Sequence, residues 1–256
     1  MTALAITPTR TTPLSRRLFN VVRLHLANPF TIIGMPLMIL GIIFAANWAI
    51  WLIIAIVAKP ADVADAAQGL SYSGASFWIF VYMMVVAIQA MNLTFSLALG
   101  LSSTRRDFYL GSVITFVGLS VFYALIFGTL AAIEEATNGW GLHGRMFTSV
   151  YFGLDSPIGL RYFFAFCAFV FFFFIGAAIA STYVRWKQRG LLLCLVVAGI
   201  LLIGGALLIS VTESWPAVGS FFTTLGFLGG FSLSLVVSAL AALAGYLVMR
   251  RATPRS

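Results

Sequence analysis

Three polar residues interrupt an otherwise apolar run at helical spacing: Gln89, Asn92 and Ser96. Steps of three and seven place them on one stripe of a helix. Such groups inside a bilayer hydrogen-bond to a neighbouring helix, for about 0.6–2 kcal/mol each, or border a path for a solute. Both readings hold for these residues, structural glue or substrate path. A second constellation is Ser103-Thr104-Arg105-Arg106-Asp107-Phe108-Tyr109-Leu110-Gly111. Thr104 can cap a helix that starts here, and Asp107 suits the positive end of that helix. Arg105, Arg106, Phe108 and Tyr109 then either orient the chain by charge alone or form a docking surface, since Arg and Tyr anchor interfaces.

Other chemistry is thinly represented. With six spans, His25 and His143 fall near opposite membrane surfaces and share no site. Cys167 and Cys194 lie in apolar runs and behave as small hydrophobes, with no histidine cluster to complete a zinc site. Lys59 and Lys187 lack the glycines of a phosphate-binding loop, so the chain has no ATPase motif of its own. No catalytic or metal-binding set is assigned. No Asp, Glu, Lys or Arg sits deep in an apolar run, where proton carriers and voltage sensors place them. The chain reads as a non-enzyme.

The elements that position these residues follow from composition. The 256 residues are 61% hydrophobic and 9% charged, with a mean hydropathy of +1.05. A soluble domain is about a quarter charged. Six runs without interior charge are expected to be membrane-spanning helices: 32–58, 76–100, 111–133, 162–182, 191–212 and 220–248. Each reaches the roughly 20 residues that cross a hydrocarbon core of about 30 Å. None alternates as a barrel strand does. The expected fold is all-α, one six-span domain over 1–256 with both termini cytoplasmic.

Charge supports that orientation. Only Lys59, Arg145 and Arg161 of the 15 basic residues fall outside, leaving twelve inside, among them Arg10, Arg185, Lys187, Arg189, Arg250, Arg251 and Arg255. Six of the seven acids, Asp62, Asp65, Glu134, Glu135, Asp155 and Glu213, lie outside. Basic residues favour the cytoplasmic side, so a formal net charge of +8 indicates a membrane and no nucleic-acid partner. Residues 14–29 form either a basic amphipathic helix on the inner leaflet, with Arg16, Arg17 and Arg23 on its polar side, or a solvated flank. Asn28-Pro29 ends that segment.

In the outer loop 59–75, Pro60 suits a first helical position. In the loop 134–161, Leu142, Met146 and Val150 at four-residue spacing, beside Phe147 and Tyr151, suggest a short helix on the membrane surface. The stretch Gly226 to Gly230 marks either a re-entrant break or a sixth helix packed through glycines. Ser234, Ser238 and Ala242, and Gly41 with Ala45, offer small faces for close helix packing. The run Phe171–Phe174 is read as packing bulk that faces lipid.

At the stretch Ser103–Gly111 the chain resembles permease subunits of type-2 ATP-binding-cassette exporters, in particular small bacterial members. The basic–acid–aromatic–glycine order is similar to theirs, and six spans with both ends inside and an amphipathic elbow helix resemble their topology. The resemblance implies a short coupling helix at this turn. It also implies a cytosolic ATPase subunit docking through Arg105, Arg106, Asp107, Phe108 and Tyr109, with ATP and Mg bound by that partner and no cofactor in this chain. A second permease subunit, the same or a sibling chain, would complete the path as a dimer in the bacterial plasma membrane, among membrane lipids. The uncharged spans favour an amphiphile, a lipid-like molecule or a hydrophobic peptide as cargo. The alternative from another class is a non-transport anchor or assembly subunit that recruits a cytosolic partner through the same turn.

Overall fold

A computed structural model of the chain describes residues 13–57, 69–70, 72–101, 103–153 and 156–251. Arg10, Lys59, Pro60, Asp62, Asp65, Asp155 and Arg255 lie outside the described residues. Within them the chain is helical, with no strand. The helices are α1 (Leu14–His25), α2 (Met35–Val57), α3 (Trp78–Gly100), α4 (Arg105–Ala136), α5 (Ile158–Val211) and α6 (Trp215–Met249). A π turn over Phe30–Gly34 leads into α2, and a 3-10 turn over Ala75–Phe77 leads into α3. Five helical stretches are long and apolar enough to cross a membrane: Phe30–Val57, Ala75–Gly100, Arg105–Ala136, Ile158–Val211 and Trp215–Met249. The chain is an all-α protein of membrane-spanning character.

Local chemistry sets where these helices start. Pro13 and Pro157 stand immediately before α1 and α5, and Pro36 and Pro216 stand in the first turns of α2 and α6. At Pro13, Pro157 and Pro216 the missing N–H costs nothing, whereas Pro36 continues the helix begun by the π turn, and the Ile32 carbonyl four residues before it accepts from the Tyr123 hydroxyl. Thr104 caps α4, its Oγ1 accepting from Asp107 N at 3.1 Å.

Two expected spans, 162–182 and 191–212, join in α5, which is 54 residues long. The segment Arg185-Trp186-Lys187-Gln188-Arg189 holds no glycine or proline, so helical geometry resumes after one deviant residue. That residue is Lys187, at φ 55° and ψ −152°. It divides α5 into two apolar arms. Helix α6 is broken in the same way at Gly226, φ 62° and ψ −177°, inside the expected glycine-rich stretch. The expected separate coupling helix is absent, because Arg105–Gly111 run without interruption into α4.

The core lies between α3, α4 and the first arm of α5. Phe80 meets Phe169 at 4.6 Å between ring centres and Phe127 at 5.5 Å. Close approach depends on small residues. A Cβ at Gly176 would lie 2.5 Å from Met84 O, and one at Gly128 would lie 2.3 Å from the Tyr162 ring. Without a hydrophobic drive between helices in lipid, such contacts favour association. Phe173 and Phe174 are buried while Phe171 and Phe172 are partly so, which divides the phenylalanine run between core and surface.

Antiparallel contacts order the bundle. Phe164 stacks on Phe231 at 4.6 Å near one end, and a Cβ at Gly245 would approach Ser181 Oγ to 3.4 Å near the other. Helix α1 and the end of α6 both lie beside the start of α4. The two ends of the described chain therefore share one end of the bundle. The loop after α4 marks the opposite end.

That loop overturns one expectation. Instead of a surface helix spanning Leu142, Met146 and Val150, it holds a π turn over Gly139–His143 and a 3-10 turn over Val150–Phe152. Asn138, Trp140 and His143 have positive φ, as do Gly139, Gly141 and Gly153. A continuous helix cannot form through so many left-handed residues. Met146 and Phe147 are buried.

Candidate functional site

The turn before α4 is tied to the fold on two sides. On one side stands α1. Arg17 Nη1 lies 3.0 Å from Asp107 Oδ2, with the arginine half-exposed and the carboxylate buried. One turn on, Val21 fills the space that Gly111 leaves open, where a Cβ would come within 2.6 Å of Val21. Another turn on, His25 Nε2 and Ser112 Oγ are hydrogen-bonded at 2.7 Å. The His25 ring also lies against Phe108 and Phe116. Burial drives the His25 pKa down to about 4, because the charged imidazolium loses its water there. These contacts use the stripe Val21–His25 of an amphipathic helix, while Arg16 and Arg23 remain exposed, as does Phe19.

On the other side stands α6. The Tyr109 hydroxyl donates to Ala242 O at 2.6 Å, and Arg105 Nη1 donates to Arg250 O at 3.4 Å. The serine–alanine stripe of α6 is thus used inside the chain, and Ser238 is buried. The matching pair in α2 is not. A Cβ at Gly41 would meet nothing within 4 Å, and Ala45 is exposed.

The five residues assigned to docking separate accordingly. Asp107, Phe108 and Tyr109 are 3%, 0% and 3% exposed, so they hold the turn in place and present no surface. Arg105 is half-buried and Arg106 is exposed. Of the five, these two arginines are the ones that present side-chain surface, next to Arg250 and Arg251 at the end of α6. The sequence pattern found the turn but not this division, because helical spacing alone does not say which side α1 covers.

The stripe of α3 lies elsewhere. Gln89 and Ser96 are exposed and Asn92 is half-buried. The Asn92 Oδ1 atom is buried and accepts no hydrogen bond from the described residues. Leu93 and Leu97, on the neighbouring surface, are exposed as well.

At the opposite end the structure builds a site that the sequence reading assigned only as outer-loop charge. Glu134, 1% exposed, ends an apolar helix and receives a ring of donors. Met146 N donates at 2.9 Å, Phe147 N at 3.1 Å, Thr148 N at 2.8 Å and Thr148 Oγ1 at 2.6 Å. Trp140 Nε1 donates at 3.2 Å. Three successive amides converging on one carboxylate make a nest for negative charge. Beside it, Arg161 donates to both oxygens of Glu135 at 2.7 and 3.2 Å. His143 and Arg145 face the same polar cavity of about 610 Å³. A paired acid at the end of an apolar run, followed by Asn138-Gly139-Trp140-Gly141, was the signal for this folded loop. Comparison with models of known families, with curated proteins and with solved structures finds no match to the chain.

Proposed function

We propose that this chain is the membrane-spanning permease subunit of an ATP-driven exporter, working as a dimer and driven by a separate cytosolic ATPase. The observation that carries this reading is the attachment of the Arg105–Arg106 turn to both α1 and α6. A push on exposed Arg106 and half-buried Arg105 would be transmitted through Arg17–Asp107, His25–Ser112 and Tyr109–Ala242 to three helices together. A turn that only set topology by its charge would need none of these links.

Six crossings fit the chain path. Ser181 lies at the end of the bundle that holds α1, and Phe222 borders a cavity with Phe77 at the other end. The chain between them must return over the full height. The second arm of α5, after Lys187, is about 36 Å long at 1.5 Å per residue and supplies that return. An even number of crossings agrees with both chain ends on the cytoplasmic side and with α1 as the elbow at the inner leaflet. The dimer is supported by the polar stripe of α3, since amides exposed on a spanning helix need cover from a partner or a water-lined path.

Photo-crosslinking from position 106 in native membranes tests the reading. The expected product is a nucleotide-binding subunit whose ATPase rate in the reconstituted complex rises with an amphiphile. The double substitution R105E/R106E should abolish both the crosslink and the stimulation. Capture of a protein without a nucleotide site would replace this reading with that of an anchoring subunit.

A further inference from the structure

The end of the bundle that carries the Glu134 loop also holds an apolar cavity of about 1060 Å³. It is at the upper end of the range of pockets that enclose small molecules. Phe77, Phe80 and Phe172 line it from α3 and α5, and Phe222, Phe227 and Phe231 line it from α6. The break in α6 opens it. Gly226 stands at the break and Gly230 one turn later, and a Cβ at either would meet nothing within 4 Å. The hollow is therefore made by side chains that α6 does not have, at the point where its axis is interrupted.

The two α6 hydroxyls of the wall have already found partners. Ser234 Oγ donates to Phe231 O at 2.6 Å, and Thr223 Oγ1 donates to Ser220 O at 3.0 Å. Gly74 O accepts from Phe77 N at 3.0 Å. A guest carrying amides or charge would give up its water there without replacement bonds. A hydrocarbon guest loses nothing and gains dispersion contacts with the rings. An apolar guest displaces water from such a wall at no cost in hydrogen bonds. The flanks of spanning helices touch acyl chains, so hydrocarbon is the medium at the mouth. At the rim stands Tyr151, 56% exposed, which can meet a polar head.

We propose that this cavity binds the hydrocarbon tail of an amphiphile, with the polar head at the rim beside Tyr151. The proposal rests on the membrane-spanning character of the chain and is independent of the permease reading. A bilayer phospholipid and a separate single-chain amphiphile present the same tail, and both are accommodated by the same wall.

The test uses the full chain in phosphatidylcholine–phosphatidylglycerol vesicles that contain a phospholipid with a diazirine in its acyl chain. After irradiation, labelled peptides are mapped by mass spectrometry. The exposed stretch Leu192–Leu208 reports ordinary bilayer contact. Label is expected to concentrate on Phe222–Phe231 and Phe171–Phe172. Gly230→Phe fills the hollow from α6, and Ala168→Phe fills it from the facing wall. Each should cut cavity labelling about tenfold while labelling of Leu192–Leu208 is unchanged, and an unchanged thermal unfolding midpoint shows that the variant is folded. Displacement by unlabelled fatty acid identifies a single-chain guest, whereas persistence identifies a resident phospholipid, and both outcomes uphold the tail site. Cavity labelling no greater than that of Leu192–Leu208, or labelling that survives both fillings, would overturn the proposal. So would unlabelled cavity peptides, which would mean that protein covers the mouth.

Discussion

Helix α4 and the second arm of α5 are both long apolar helices, and the chain treats them in opposite ways. Fifteen residues of α4 are buried, whereas none between Lys187 and Gly226 is. The difference is not one of hydrophobicity, since the bare arm is richer in Leu and Ile. It lies in the small and hydroxylated residues. In α4, Gly111 and Gly128 admit Val21 and Tyr162, and Ser112 binds His25. In the bare arm, a Cβ at Gly199, Gly204 or Gly205 would meet nothing within 4 Å. Apolar character places a helix in the membrane, and matched small and polar residues then decide which helices touch.

The contrast is most open to test at the end of α4. Glu134→Ala leaves four buried donors and the part-buried Trp140 Nε1 without an acceptor, at about 1–3 kcal/mol for each buried one before relaxation. A loss on the order of 4 kcal/mol is expected, with the loop 139–153 becoming open to proteolysis at the same time. Survival of that loop in the variant would mean that the nest is not what holds it.

Acid should weaken the α1 contact next. The His25 pKa falls to about 4 in the fold, so the unfolded or undocked state takes up its proton first as pH falls. The contact is at full strength above about pH 6.5. It weakens as pH falls toward 4, by roughly 3 kcal/mol in all, and levels off below that. Protection of α1 amides from hydrogen exchange follows this curve, and His25→Gln flattens it. An acid-insensitive α1 would show that the ring is not desolvated as described.

A smaller effect is expected between α4 and α5. Gly128→Leu drives a side chain into the Tyr162 ring, at about 1–3 kcal/mol, read as a lower midpoint of thermal unfolding. Gly204→Leu supplies the counterpart in the bare arm. There the substitution should change protomer stability by no more than about 0.5 kcal/mol, read from the same thermal unfolding. A Gly204→Leu protomer as damaged as Gly128→Leu would abolish the distinction between the two helices.

Much of the architecture could be read from residue types. Runs without charge located every long helix, and Thr104 with Asp107 marked the start of α4. The polar side assigned to α1 includes Arg16 and Arg23, which are exposed, but spacing did not say that Val21 and His25 pack on α4. What escaped depended on contacts between distant parts of the chain. Met146 and Phe147 are apolar at helical spacing, yet their amides turn toward Glu134. Phe108 and Tyr109 have the chemistry of interface anchors, yet α1 and α6 cover them first. The charged segment Arg185–Arg189 marked where α5 divides. What escaped is that helical geometry resumes on both sides of a single residue, Lys187, because no glycine or proline interrupts the segment.

That lysine sets how the bare arm is held. Its backbone occupies a region that is almost exclusively glycine territory, at about 1–3 kcal/mol. Its ammonium lies 5.8 Å from the centre of the Tyr183 ring, and Trp186 crowds Gly190, where a Cβ would come within 2.2 Å. The angle between the two arms of α5 is thus set at one residue, and no buried residue beyond it ties the second arm to the packed helices.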